Sequence, residues 1–223
     1  MPDSLGDFSA DPQATWLVAP GRPGDLDDRD MVLLREFWFK DPAGKTWRAP
    51  QGSVVNGASI PAALWSIVGS PYTGPYRRAS IVHDVACDEA TQEPDPIAAR
   101  TAADHMFRQA CRAGGCSEKY ADLLYVGVCL GKCWLVIQPG PQPQAQALLA
   151  TGRLMPDVQE ESICTTYREI AADLQRRSRP RTFEELEALV SRHLEAKARQ
   201  YGVLLVAPLP LPRRARRSAK SKA

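Results

Sequence analysis

The chain has 223 residues, 44% hydrophobic and 24% charged, with a formal net charge of +2. That balance is enough to bury a core, which excludes wholesale disorder. No uninterrupted apolar run reaches the roughly 20 residues of a membrane span. Met1 to Ala10 lacks the basic and then apolar regions of a secretory signal, so a cytoplasmic protein is expected.

Residues 1–30 are rich in Asp, Pro and Gly and read as an acidic arm or docked edge, with Trp16-Leu17-Val18 as its strand-like piece. The aromatic and β-branched run Val32 to Phe39 predicts a strand. Asp41-Pro42-Ala43-Gly44 then supplies a turn, and Lys45 to Ala49 returns to complete a hairpin. Gly52 to Ser59 is a loop, Pro61 sits in the first turn of a short helix through Val68, and Gly69 to Pro75 is a second loop.

Helices are expected at Tyr76 to Glu89, Pro96 to Ala113 and Ser117 to Ile137. The stretch from Ala121 to Ile137 is nearly all apolar but holds Lys132 and two glycines, as suits a helix buried on several sides. These elements make residues 31–138 the core domain. A Pro/Gln-rich linker at 139–156 separates it from C-terminal helices within 157–206, at Val158 to Ser178 and Thr182 to Tyr201.

The fold class expected is therefore α+β and mainly α: an N-terminal β-hairpin packed on a helical core, with additional C-terminal helices. In the last helix, Phe183, Leu186, Leu189, Val190, His193 and Leu194 share one stripe. Either the body of the chain or a second copy in a homo-oligomer must cover it. The same C-terminal helices are where a protein partner would be recruited.

After Pro212 come Arg213, Arg214, Arg216, Arg217, Lys220 and Lys222 with no acid. Removing these six charges from the net +2 leaves the first 212 residues at −4. Residues 207–223 read most simply as a disordered solubilising tail, and contact with nucleic acid or anionic lipid is the sharper alternative.

The six cysteines are Cys87, Cys111, Cys116, Cys129, Cys133 and Cys164, expected as reduced thiols in the core. Structural zinc would want paired Cys-x-x-Cys knuckles. Cys111-x4-Cys116 and Cys129-x3-Cys133 do not supply them.

Chemistry concentrates at His83-Asp84. At about 100° per residue the two side chains leave the helix in different directions, so they do not simply pair with each other. The next helix carries Arg100, Asp104, Phe107, Arg108 and Cys111 on one side, and a short connection lets Asp104 approach His83 from across the groove. A carboxylate on one ring nitrogen fixes the tautomer and leaves the other to take a proton from water. The scheme is a His83 base, an Asp104 orienter and Asp84 as ligand to a hard divalent cation.

The competing reading is a satisfied polar network with Arg77, Arg78 or Arg100 that fixes helix packing. Which one holds depends on whether residues 83, 84 and 104 line an open cleft. Ser59, beside a helix start, reads as a cap before it reads as a nucleophile. His105 reads as a surface or capping residue and His193 as a packed or half-buried one. Gly114-Gly115 reads as a helix C-cap.

The order of these pieces resembles a phage- and prophage-associated family of unknown function, number 1353. The resemblance runs over about residues 31–135. It rests on an aromatic strand, Pro50-Gln51-Gly52, Gly57-Ala58-Ser59-Ile60-Pro61, a helix with Trp65, and Gly74-Pro75-Tyr76. It continues through Arg78-Ala79 before His83-Asp84, and Ala103-Asp104-x-x-Phe107. Members of that family often carry Asp where Asn56 stands, and aromatic residues where this chain has Val85, Ala86 and Cys87. The resemblance implies a phage or mobile-element context and no established reaction.

His83-Asp84 facing Asp104-x-x-Phe107 is more distantly similar to the phospholipase A-two superfamily. That likeness implies a water-activating His83, a calcium-binding Asp84 and an orienting Asp104. The Gly-rich calcium loop is missing, with Gly52 to Ser59 as a substitute source of carbonyls, and so are the cysteines that tie the two helices. The function expected first is therefore a phage-type hydrolase of ester or phospholipid-like substrates that depends on Ca2+ or another divalent cation and carries a phage or host protein partner on its C-terminal helices. The alternative is a non-catalytic phage or prophage structural or interaction module.

Overall fold

The structure is a computed structural model, and it describes residues 5–17, 30–58, 60–69, 73–134, 155–176 and 182–200. Its fold is mixed: two small antiparallel sheets from the N-terminal region and a larger body of helices. The sheets contain β1 (Asp7–Phe8), β2 (Ala14–Trp16), β3 (Met31–Leu33), β4 (Phe37–Lys40), β5 (Thr46–Ala49) and β6 (Val54–Val55). One sheet runs β1-β4-β5 and the other β2-β3-β6.

The expected hairpin is β4–β5, with Phe37 opposite Ala49 and Lys40 opposite Thr46. Its turn is held by Asp41: the Gly44 N–H donates to the Asp41 carbonyl at 2.9 Å, and the Lys45 N–H donates to Asp41 Oδ1 at 2.9 Å. Gly44 sits at φ 90°, where a side chain would be strained. Phe37 and Phe39 point inward, and Phe8 of β1 packs on both rings with centroids 5.7 and 4.9 Å away.

The single strand expected over Val32 to Phe39 is in fact two. β3 joins one sheet, the chain bends at 34–36, and β4 joins the other. The two-residue alternation of a straight strand would place Arg35 on the same face as Leu33, Phe37 and Phe39, all of which are buried. The bend instead leaves Arg35 exposed. Breaking the strand is what keeps a guanidinium out of the core.

A 3-10 turn (Ala62–Leu64) leads into α1 (Trp65–Val68), followed by α2 (Arg77–Ala90), α3 (Pro96–Ala113), α4 (Glu118–Trp134), α5 (Met155–Arg176) and α6 (Phe183–Gln200). α2 lies against β5, and α3 packs back on α2. Gly114 permits the close return after α3, because a Cβ there would meet the Pro75 carbonyl oxygen at 2.4 Å. α4 touches α1, α3, α5 and α6, and Ala121, Leu124, Val126, Val128 and Leu130 along it are all at 0% exposure. That surround explains its largely apolar sequence. Among the described residues, no helix is long and apolar enough to cross a membrane.

The stripe on α6 is covered by the chain itself: Leu186, Val190 and Leu194 belong to the same core as Phe37 and Phe107. Cys87, Cys111, Cys116, Cys129 and Cys164 are reduced thiols, as expected. The linker up to residue 154, and the basic tail at 207–223, lie outside the described residues.

Candidate functional site: a buried histidine between two helices

Local sequence rules set the two helices in place. Asp95 caps α3, accepting from the Ile97 and Ala98 N–H groups at 3.1 and 3.0 Å, and Pro96 occupies the position where a missing N–H costs nothing. Counting on from that start, Arg100, Asp104, Phe107 and Cys111 share the face that meets α2. Mid-way along α2, His83 turns toward them.

His83 Nε2 lies 2.9 Å from Asp104 Oδ1, and the two side chains are 0% and 1% exposed. Arg100, one turn earlier on α3, donates from Nε to the same oxygen at 3.4 Å. Phe107 lies against the imidazole, ring centroids 4.8 Å apart. Cys87, one turn after His83, places Sγ 3.4 Å from Nε2 and 3.7 Å from Nδ1. A sulfur so nearly equidistant from both nitrogens lies off the line of either lone pair. This is therefore not a thiol poised against an imidazole base.

Burial pushes the His83 pKa below its ordinary value, against the opposing hydrogen bond and charge of Asp104. The ring is accordingly neutral, with Nε2–H donating to Asp104. Burial also works against the charge of Arg100, but nearby Cys87, Asp104 and Asp84 more than offset it and raise its pKa.

Asp84 does not join this cluster. It is half-buried, and its Oδ2 accepts the Asn56 N–H at 2.6 Å. The Asn56 side chain in turn donates to Asp30 Oδ1 at 3.4 Å. Burial raises the Asp84 carboxyl to about 7, opposed by the Asn56 N–H, while the charges of Asp88 and Asp30 add to the rise. The loop before α1 thus presents a donor to this carboxylate, where a calcium ion would want carbonyl oxygens.

The structure thus brings together His83 and Asp104 and leaves Asp84 on a neighbouring face. Of the arginines proposed as network partners, Arg100 is the one that reaches. Arg78 lies over the Phe8 ring, 4.6 Å from its centroid, and Arg77 and Arg78 line a cleft of about 540 Å³ with Asp11 and Gly114. Ser59 lies outside the described residues.

His105 links α3 to α6 through Glu187 at 3.1 Å, with its ring edge-on to Phe183. His193 pairs with Asp173 at 3.1 Å, half-buried as expected. Cys87 is the group that sequence reasoning missed. Its signal was the four-residue spacing from His83, which puts both on one helical face.

Residues 31–128 match the model of a family described as "Protein of unknown function (DUF1353)". That match covers the β3–β6 strands and α1 through most of α4, so the His83 cluster lies inside it. The chain is similar to two uncharacterized proteins of Sinorhizobium fredii (strain NBRC 101917 / NGR234). It is 35% identical to y4jT over 139 residues, which is 61% of this chain and 35% of that protein. It is 30% identical to y4iH over 119 residues, 53% of this chain and 46% of that one. The chain thus spans less than half the length of either relative. No solved structure matches it.

Proposed function

We propose that this DUF1353 domain acts as a non-catalytic phage or prophage structural or interaction module, in which His83, Asp104 and Arg100 clamp α2 to α3. One observation carries the reading: the imidazole and its carboxylate are both sealed from solvent, at 0% and 1% exposure. A base that activates water must reach water. Phe107 and Cys87 lie against the imidazole instead. The phage context comes from the family resemblance, and the C-terminal helices are where this reading places a phage or host protein.

The test is His83→Gln in the full chain. The module reading expects a marked fall in the urea midpoint, because a buried partner is left unsatisfied. It also expects no ester or phospholipid turnover in the wild type that the substitution removes. A variant of unchanged stability that has lost such turnover would overturn it.

A second reading is favoured by Asp84, a half-buried carboxyl that burial raises to about 7, with the charges of Asp88 and Asp30 adding to the rise. In that reading the domain is a cation-dependent hydrolase of ester or phospholipid-like substrates, with His83 as base and Asp104 as orienter. Asp84 would help hold calcium or another hard cation, which would stabilise developing negative charge. It expects calcium to raise the melting temperature of the wild type and not of Asp84→Asn.

A further inference from the structure

The sealed cluster contains a group that the clamp leaves unused. Cys87 follows His83 by one turn of α2, so thiol and imidazole leave the helix on the same face, and Asp104 meets them from α3. A pair of donors at i and i+4 plus one from a facing helix is an economical way to surround an ion. Here the nitrogen, sulfur and carboxylate oxygen all lie within 4.8 Å of one another. From Nε2, Oδ1 is 2.9 Å and Sγ 3.4 Å away. Donors held at about 2.0–2.3 Å around a tetrahedral zinc are separated by roughly 3–4 Å, so the spacing suits one shared ion.

We infer that His83 Nε2, Cys87 Sγ and Asp104 Oδ1 form a binding site for a zinc-class divalent cation. The donor chemistry selects the ion: imidazole with thiolate suits zinc-type metals, whereas calcium and magnesium take oxygen ligands. Charge also balances, since thiolate and carboxylate together offset the ion's two positive charges. Arg100 would remain as an outer partner of the carboxylate.

Proton balance follows from the groups present. In the metal-free form the neutral imidazole carries its proton on Nε2, toward Asp104. On binding, that proton moves to Nδ1 and Nε2 becomes a ligand. The Cys87 thiol loses its proton to water, so one proton leaves per ion bound. A small reorientation of the Cys87 side chain brings sulfur onto the ion.

The inference deepens the clamp reading and rests on it for the placement of the groups, because the ion would join the same two helices. Its test uses the full, reduced, metal-free chain titrated with cobalt(II) and then zinc. The expected result is a sulfur-to-cobalt charge-transfer absorption and tetrahedral visible bands that saturate at one ion per chain and vanish on adding zinc. Below the thiol's own pKa, affinity should rise about tenfold per pH unit, as loss of a single proton requires.

Cys87→Ala and Asp104→Asn should each reduce cobalt affinity at least tenfold, with Cys87→Ala losing the sulfur band and the helical circular dichroism retained. If Cys87→Ala fails to fold, Cys87→Ser keeps the volume and must likewise lose the sulfur band. Absence of cobalt uptake by the wild type would overturn the inference. So would an unchanged sulfur band in either Cys87 variant, since the ion would then sit on other cysteines. His83→Gln unfolding in chelator tests the clamp without metal, so failure of one claim is distinguishable from failure of the other.

Discussion

Two seams of this molecule are closed by the same chemical pair in different surroundings. Between α2 and α3, His83 meets Asp104 at 2.9 Å with the side chains 0% and 1% exposed. Between α5 and α6, His193 meets Asp173 at 3.1 Å with the side chains 22% and 21% exposed. The distances hardly differ, yet the consequences should. Water can replace either partner at the outer seam, whereas at the inner one a lost partner leaves a polar group stranded in the core. Burial, and not contact distance, decides how much a pair matters.

The most severe change at the inner seam is Asp104→Ala, which strands both His83 and Arg100. It should destabilise by about 3–5 kcal/mol in urea titrations. His83→Gln comes next, at about 1–3 kcal/mol, since the glutamine amide can recover part of the contact. His193→Gln at the outer seam should cost no more than about 1 kcal/mol in the same experiment. Equal losses at the two seams would show that burial is not the deciding variable.

Acidity sharpens the contrast between His83 and its neighbour Asp84, because their shifts have opposite signs. Asp84 has a folded value raised to about 7, so the folded state holds its proton more tightly than the unfolded chain. Its contribution is fully present below the unfolded carboxyl value and is lost as pH rises toward and through about 7. His83 has a lowered folded value, so its unfolded form takes up protons first as pH falls below the ordinary histidine range, and stability is lost there. Between about pH 4 and 6.5 the two oppose each other, and above that only Asp84 acts.

Asp84→Asn keeps an acceptor for the Asn56 N–H and removes the titration. It should therefore gain on the order of 1 kcal/mol over the wild type at pH 8, after allowance for its part exposure. That gain should shrink at pH 5. Urea midpoints at the two pH values measure it.

Much of the fold could be read from residues alone, for identifiable reasons. α3 runs from Pro96 to Ala113 as expected, because Asp95 and Pro96 mark its start and Gly114-Gly115 its end. The pairing of His83 with Asp104 was legible because two regular helices joined by a short connection leave few ways to face each other. The break between β3 and β4 was not, since it answers to a core that takes Leu33 and Phe37 but not Arg35.

The sealing of the site was equally out of reach. It depends on Phe107 from one helix and Cys87 from the other lying against the ring, a tertiary matter that spacing along one helix does not reveal. Asp84 illustrates the same limit: its partner, the Asn56 N–H, comes from a loop 28 residues earlier.

The most direct test of the clamp is a double-mutant cycle of His83→Gln and Asp104→Asn, read by urea unfolding of the full chain in chelator and compared with His193→Gln and Asp173→Asn. The inner pair should show a coupling of about 1–3 kcal/mol and the outer pair one near zero. Inner coupling no larger than the outer, with both inner single variants as stable as the wild type, would contradict the claim that this histidine holds the helices together.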